Sequence, residues 1–503
     1  MHRTDGPARH RTTARGGAGA RARARHASSR GEGFGRFAAL TVLSLVPGAG
    51  LVAAGRRISG GLLLGLTVLA VAGAGVLALS GNALHRVLTL AVQPRILAAG
   101  AALVAVVGII WCLTIVATAW STRPSRPSAA QRGLGVALVA ALCVAVAAPS
   151  SVGVRYALIQ RDLVTSLFAG DTAAKTNPVD GAAVPAAGKN PWAGVPRVNM
   201  LLLGSDAGAD RTGVRTDSMI VASIDTTTGD TVLFGLPRSL QKVPFPASNP
   251  LKAVWPNGFN CGNECLLNAV WEQAATVHPE LFPGDPNPGL TTTRGVIGEV
   301  LGLRIDTYAT IDLNGFKSLV DAMGGVDVNV PRNIPIGGGK SLSGRQLPIF
   351  GTIPAGQQHL NGYQALWFAR SRQGSDDYDR MGRQRCMVTS LLDQANPAQL
   401  LGRYPQLASV AKTNISTDIR QQDLGAWVTL VQQIQRGKIR SLPFTNKVIS
   451  TVNPNFEAIR ALVTKAIAPQ PPTAPSPRPS PSGAATPKPG ADVTAAQDAS
   501  AVC

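Results

Sequence analysis

Residues 198–206 read VNMLLLGSD and residues 215–225 read RTDSMIVASID. The first is a short apolar run that ends in polar turn residues, which predicts a buried strand with Asp206 just past its end. The second begins Arg215-Thr216-Asp217 and continues as another strand over 218–225. Residues 230–236 (DTVLFGL) are a third, and the turn at Gly229 lets the two form a hairpin. Residues 307–312 alternate as a strand, and 313–323 form an amphipathic helix closed by Gly324-Gly325. VDVNV at 326–330 is the next strand. Helices are expected over about 263–277, 291–302, 361–369, 379–396, 398–411 and 418–436. Strands and helices mixed in this way predict an α/β fold, a mixed central sheet flanked by helices, and exclude a repeat or a barrel.

Upstream the chain changes character. Of its 503 residues 45% are hydrophobic and only 15% are charged, so part of it is expected in lipid. Apolar stretches lie at about 37–55, 60–80, 96–119 and 133–150. The last three suit α-helical spans; the first is broken by Pro47-Gly48-Ala49-Gly50 and is expected to turn back or lie on the surface. The net charge of +20 owes much to Arg3, Arg9, Arg11, Arg15, Arg21, Arg23, Arg25 and Arg30. With Arg56-Arg57, Arg123, Arg126 and Arg132, these place the loops inside and leave three crossings, with the remaining chain outside. The arm shows no helix-turn-helix and no aromatic interleaving, so no nucleic-acid partner is expected. The organisation read from this is a basic arm at 1–33, a transmembrane region at 34–151, an extracytoplasmic stalk at 152–196, the main domain at 197–395, a helical extension at 396–465 and a Pro/Ala/Ser-rich tail at 466–503 too polar to order itself.

Cysteines are few. Cys112 and Cys143 sit in apolar runs, and Cys503 lies in the tail. Cys261 and Cys265 share the loop NCGNEC, where a local disulfide suits an oxidising compartment; two cysteines alone make a poor zinc site. His278 and His359 have no Ser or Cys motif beside them for nucleophilic catalysis.

Polar chemistry gathers elsewhere. Asp206 and Asp217 stand at neighbouring strand ends, where two carboxylates either cap turns or share a hard cation such as magnesium or manganese. Arg370-Ser371-Arg372 is followed by Asp377, Asp379, Arg380, Arg383, Gln384 and Arg385. Asp379 is expected to cap a helix starting near Arg380, which sets positions 380, 383 and 384 on one face above the stripe Met387, Val388, Leu391 and Leu392. So many guanidinium groups beside a helix N-terminus either pair with Asp376, Asp377 and Asp379 or receive an anion rich in oxygens. A cation held by carboxylates and an anion held by arginines together describe a pyrophosphate site.

NMLLLGSD, GVRTDS, LPRS, DAMGGVDVNVP, GQQHLNGYQALWFARSR and DDYDRMGRQR, in this order over about residues 197–395, resemble the LytR-CpsA-Psr family of bacterial cell-wall proteins. The resemblance implies an α/β/α domain with an apolar pocket for a polyprenyl tail. It implies a phosphotransferase that moves a glycopolymer from polyprenyl pyrophosphate to peptidoglycan. Asp206 and Asp217 would hold magnesium or manganese, and Arg215, Arg370, Arg372, Arg380 and Gln384 would grip the pyrophosphate. Arg238, Asp377 and Arg383 would serve catalysis. Ser239 departs from the Asp frequent at that place in the family, and residues 256–290 read as an elaboration. Val221, Ile224, Leu233, Phe316, Leu319, Val320, Leu366 and Phe368 are candidates for the apolar lining. A transcriptional regulator of wall genes and a polyprenyl-pyrophosphate hydrolase or binding protein are the competing readings.

Overall fold

A computed structural model describes residues 33–79, 83–168, 191–205, 216–339, 345–394, 402–469 and 495–498. The chain divides into two units, residues 1–86 with 98–158 and residues 87–97 with 159–503.

The apolar part of the chain forms α1 (Gly33–Leu43), α2 (Ala49–Ala53), α3 (Arg57–Leu79), α4 (Ala83–Ala91), α5 (Pro94–Thr122) and α6 (Ala129–Leu167). The helices α3, α5 and α6 are long and apolar enough to cross a membrane. The first apolar stretch is two short helices. Gly48, between them, has φ 89°, and a Cβ there would stand 2.4 Å from the Gly60 carbonyl oxygen of α3, so only glycine fits the approach. The helix α6 does not stop at residue 151. It runs through Pro149 to Leu167, because residues 152–167 hold no further proline and only one glycine, Gly153. The expected stalk therefore begins as helix, and residues 169–190 lie outside the described residues. Its last part belongs to the domain: Trp192 is buried, donates to the Ala426 carbonyl at 3.1 Å and meets Trp427 edge-on.

In the second unit the strands are β1 (Arg197–Ser205), β2 (Thr216–Asp225), β3 (Thr231–Leu236), β4 (Thr307–Asp312), β5 (Val326–Val330), β6 (Ile334–Gly337), β7 (Ile349–Ile353), β8 (Gly356–Leu360), β9 (Ile415–Thr417), β10 (Ile439–Pro443) and β11 (Gln497–Asp498). The principal sheet has seven strands in the order β11-β10-β3-β2-β1-β4-β9. It is mixed: β1 runs parallel to β4 and β3 to β10, whereas β1–β2 and β2–β3 are antiparallel. Side chains alternate between its faces. Leu201, Leu203, Val221, Val232 and Phe234 pack against α7 (Pro288–Leu301) and α13 (Phe456–Ile467). Ile220, Ile224 and Leu233 face the other way, toward α12 (Leu424–Ile434). A separate core joins β5, β6 and β8 to α8 (Leu313–Met323), α9 (Gly362–Arg370) and α10 (Asp377–Gln394).

Several expectations need correction. The segment 263–277 is no single helix; after the Cys261–Cys265 loop it is a 3-10 turn, a turn of α and a π turn from Leu267 onward. The region 396–465 is not wholly helical. Besides α11 (Tyr404–Asn414), α12 and α13 it supplies β9 and β10, whose short sequences take strand form by pairing with β4 and β3. The tail returns too, since Gln497 and Asp498 pair with Ser441 and Arg440.

Candidate functional site

Strands β1 and β4 end side by side with the start of β2, at one end of the sheet, with Ser205 paired to Thr216 and Gly204 to Ser218. Asp217 is thereby set at the rim of a cavity of about 640 Å³. On the far wall stand α8, α9 and α10. Asp312 caps α8 by accepting from Gly315 N at 2.6 Å, and Asn361 with Gln364 closes a capping box on α9. The start of α10 is fixed by Asp376, not Asp379: its Oδ1 accepts from Asp379 N at 2.8 Å, so the helix begins at Asp377.

One end of the cavity is polar and the rest apolar. Asp217, Arg238, Arg370, Arg372, Arg380 and Gln384 line the polar end. Leu202, Ile220, Phe316, Leu319, Leu366, Met387, Val388 and Leu391 line the rest. Phe316, Leu319 and Leu366 are thus where the sequence placed them. Val221, Ile224, Leu233, Val320 and Phe368 are not; they are closed core. For Val221 the reason is the strand's period of two, which gives the cavity to its neighbour Ile220.

Asp377 is the hinge of the charged end. Its Oδ1 and Oδ2 accept from Nε and Nη2 of Arg380 at 3.1 and 3.0 Å, and Nε of Arg238 lies 3.3 Å from Oδ1. Burial pushes its carboxyl up, but Arg380, Arg238 and Arg372 outweigh this and hold it below the usual carboxylate range. Arg238 also donates to Asp217 Oδ1 at 2.8 Å, and Nη1 of Arg380 donates to the Asp217 carbonyl at 2.7 Å. Arg370 lies over the Trp367 ring, 5.0 Å from its centroid. The guanidinium of Arg372 is pushed below its ordinary range by burial and by its like-charged neighbours Arg238 and Arg380, against the pull of Asp377 and Asp217. Among these residues four guanidinium groups meet two carboxylates, an arrangement that receives an anion.

The loop after β3 backs Arg238. Its carbonyl accepts from Asn268 N at 3.1 Å, and Leu267 N donates to Leu240 O at 2.9 Å. Cys261 and Cys265 close this elaboration as a disulfide with Cα atoms 5.2 Å apart. Cys265 and Leu267 are buried in the core beneath it.

Arg383 is not in the cavity. At 100° per residue, Arg380 and Gln384 share the stripe of Met387 and Leu391, while Arg383 turns about 60° away toward α9. Its Nε donates to Phe368 O at 2.6 Å and its Nη2 to Ser371 O. It ties the end of α9 to α10 and so positions Arg370 and Arg372. Burial and nearby Arg332 lower its pKa to about 10. Arg385, which the sequence did not distinguish from its neighbours, is buried with Nε and Nη1 unpartnered among the described residues, and burial lowers it to about 10. His359 stands apart, between Asp327 at 2.7 Å and the Gly324 carbonyl at 3.0 Å.

Asp206 and Arg215 lie outside the described residues. Ser205, which immediately precedes Asp206, lines the cavity, as does Asp217. The oxygens on offer there suit a hard cation, yet no group of three His, Cys, Asp or Glu side chains fit to hold a metal occurs among the described residues.

The chain is similar to known proteins over this domain. It is 27% identical over 241 residues to the polyisoprenyl-teichoic acid–peptidoglycan teichoic acid transferase TagV of Bacillus subtilis, covering 48% of this chain and 51% of TagV. It is 26% identical over 228 residues to the biofilm regulatory protein A of Streptococcus mutans, covering 44% and 50%. The chain spans about half the length of these curated relatives. Among solved structures, protein gbs0355 from Streptococcus agalactiae aligns with TM-score 0.41 and 20% identity over 56% of this chain and 91% of its own. The LytR_cpsA_psr family model matches residues 169–464, more than half of the sequence and the whole of the cavity's lining, and the chain belongs to that family.

Proposed function

We propose that this chain is a membrane-anchored phosphotransferase that moves a glycopolymer from a polyprenyl-pyrophosphate carrier to a hydroxyl of peptidoglycan. The observation that carries the reading is the division of one cavity into an arginine-rich end and an apolar remainder. A molecule that fits both is a diphosphate with a hydrocarbon tail. The name of the TagV relative, a transferase of teichoic acid to peptidoglycan, supports the same chemistry.

Arg370, Arg372, Arg380 and Gln384 bind the diphosphate, and Arg238 steadies the charge that gathers on it. An acceptor hydroxyl attacks the sugar-side phosphorus. The P–O bond to the polyprenyl phosphate breaks, and its electron pair leaves with that phosphate, whose charge the arginines neutralise. The hydroxyl proton passes to a base. Asp377 and Asp217 are the carboxylates at the arginine end, both paired with Arg238, and Asp206 directly follows the cavity residue Ser205; the base is one of these three. A magnesium or manganese ion held by Asp206 and Asp217 would supply further neutralisation of phosphate charge. We further propose that α3, α5 and α6 cross the cell membrane and that the α/β unit lies outside it.

The test is transfer by the full chain in detergent, given a polyprenyl-pyrophosphate-linked glycan, magnesium and peptidoglycan. Polyprenyl monophosphate and polymer-bearing peptidoglycan should appear together. Polyprenyl monophosphate and glycan phosphate formed without acceptor would make the protein a hydrolase instead; no turnover at all would defeat the proposal.

A further inference from the structure

Helix α9 turns different faces to different neighbours. Leu366, Ala369 and Arg370 line the cavity, whereas Ala365 and Phe368 are closed in the core with β5, β6 and β8. Tyr363, Trp367 and Arg370, at spacings of four and three, share a third face. The Trp367 ring is half-buried against that core and meets the Tyr363 ring edge-on, with centroids 6.4 Å apart and planes at 68°. It also lies under the Arg370 guanidinium, whose central carbon is 5.0 Å from the ring centroid. We propose that Trp367 is a positioning residue: its ring holds the Arg370 guanidinium at the arginine end of the cavity. The inference deepens the reading of that end as a diphosphate site and rests on it.

The charges around Arg370 give the reason for such a support. Arg238, Arg372 and Arg380 line the same end and repel it. Asp377 and Asp217 there answer Arg380 and Arg238. A long side chain at the end of a helix also loses rotamer freedom when it is held in one place. An aromatic face attracts a cation through its quadrupole but carries no net charge. It therefore holds Arg370 without cancelling the positive field that draws in a diphosphate, as a carboxylate in its place would. The contact engages the face of the guanidinium, while its N–H donors point outward in the plane, toward where two phosphate oxygens can be met side by side.

The support is itself fixed. The capping box of Asn361 and Gln364 sets the start of α9, and Arg383 holds its last turn through the Phe368 and Ser371 carbonyls. The core beneath and Tyr363 beside the ring restrict its motion.

Transfer by the full chain in detergent is measured with the polyprenyl-pyrophosphate-linked glycan as the varied substrate, for Trp367→Leu, Trp367→Phe, Arg370→Ala and the double variant Trp367→Leu with Arg370→Ala. Leucine keeps apolar packing and removes the aromatic face; phenylalanine keeps a weaker face. In Trp367→Leu, KM should rise roughly three- to thirtyfold, the range a cation–π contact supplies, with kcat within about twofold of the unaltered chain. Trp367→Phe should fall between the two. Where Arg370 is already alanine, the leucine substitution should change kcat/KM by less than about twofold, because the group it acts through is gone. An equal fall in both backgrounds, or phenylalanine as impaired as leucine, would reduce Trp367 to packing and overturn the inference, as would an unchanged KM in Trp367→Leu. In each of these cases a loss in Arg370→Ala leaves the diphosphate reading standing. Arg370→Ala at full kcat/KM would instead remove that reading and the inference with it. If Trp367→Leu does not fold, Trp367→Phe with and without Arg370→Ala makes the same comparison.

Discussion

Asp377 holds two arginines with one carboxylate, and this makes it the residue whose loss spreads furthest through the site. Its folded pKa lies below that of a free aspartate, about 3.9. The stability it contributes is therefore complete above about pH 4 and is lost as pH falls through the lower folded value. Denaturant titrations between pH 3 and 7 should show Asp377→Asn losing stability at neutral pH and sloping less steeply on the acid side than the unaltered chain. An identical acid slope would mean that Arg380 and Arg238 do not depend on that charge. Arg380→Ala removes both the grip on Asp377 and a guanidinium from the cavity. Transfer by the folded variant should fall roughly a hundredfold or more, and stability should fall too, because Asp377 loses its bidentate partner; a variant at full rate would remove Arg380 from the chemistry. At this scale the sequence was largely legible, because Arg370, Arg372, Arg380 and Gln384 sit at spacings that set them on one side of the chain. What spacing could not say was which partner each carboxylate takes.

Between elements the deciding contact is Arg383. Its donors fill the last carbonyls of α9, groups that no helix satisfies for itself. Arg383→Ala leaves both carbonyls buried and unpaired, which should cost about 2–4 kcal/mol of unfolding free energy. Because Arg370 and Arg372 are displaced with α9, KM should rise more than kcat falls. Arg385 is the reverse case. A buried cation without a partner for two of its nitrogens is a burden, and Arg385→Met should keep the volume and raise stability by about 1 kcal/mol. A clear loss of stability on urea unfolding would mean that an anion meets this group. Sequence pattern placed all three arginines of α10 in one basic cluster. Only packing separates them, since Arg380 faces the cavity, Arg383 faces α9 and Arg385 faces Gly235. The same limit hid β9 and β10. Neither alternates over more than a few residues, and each is a strand only because β4 and β3 offer it an edge.

For the whole molecule the open quantity is orientation. Among the described residues three helices are long and apolar enough to cross, and if all three do, the two flanks of the membrane region lie on opposite sides. The hydrophobic runs were legible because ~20 apolar residues are a blunt signal. The division of the first run was legible because Pro47 and Gly48 break it. The extension of α6 to Leu167 was not, because residues 152–167 are polar enough to read as a connection. In the topology proposed above, positive charge sets which flank is inside: the arginine-rich arm, Arg56-Arg57 and the loop of Arg123, Arg126 and Arg132 would all fall on the cytoplasmic side when the first run turns back. Protease added to intact protoplasts should accordingly remove the α/β unit, while an epitope within the first 30 residues stays protected until the cells are lysed. Protection of both would mean that the first run also crosses and that the arginine cavity opens to the cytoplasm, away from any wall acceptor. Removing Arg56 and Arg57 by substitution to glutamate should weaken the bias and yield a mixed population in the same assay. A population unmoved by that change would show that the arm and the loop of Arg123, Arg126 and Arg132 set the orientation without Arg56-Arg57.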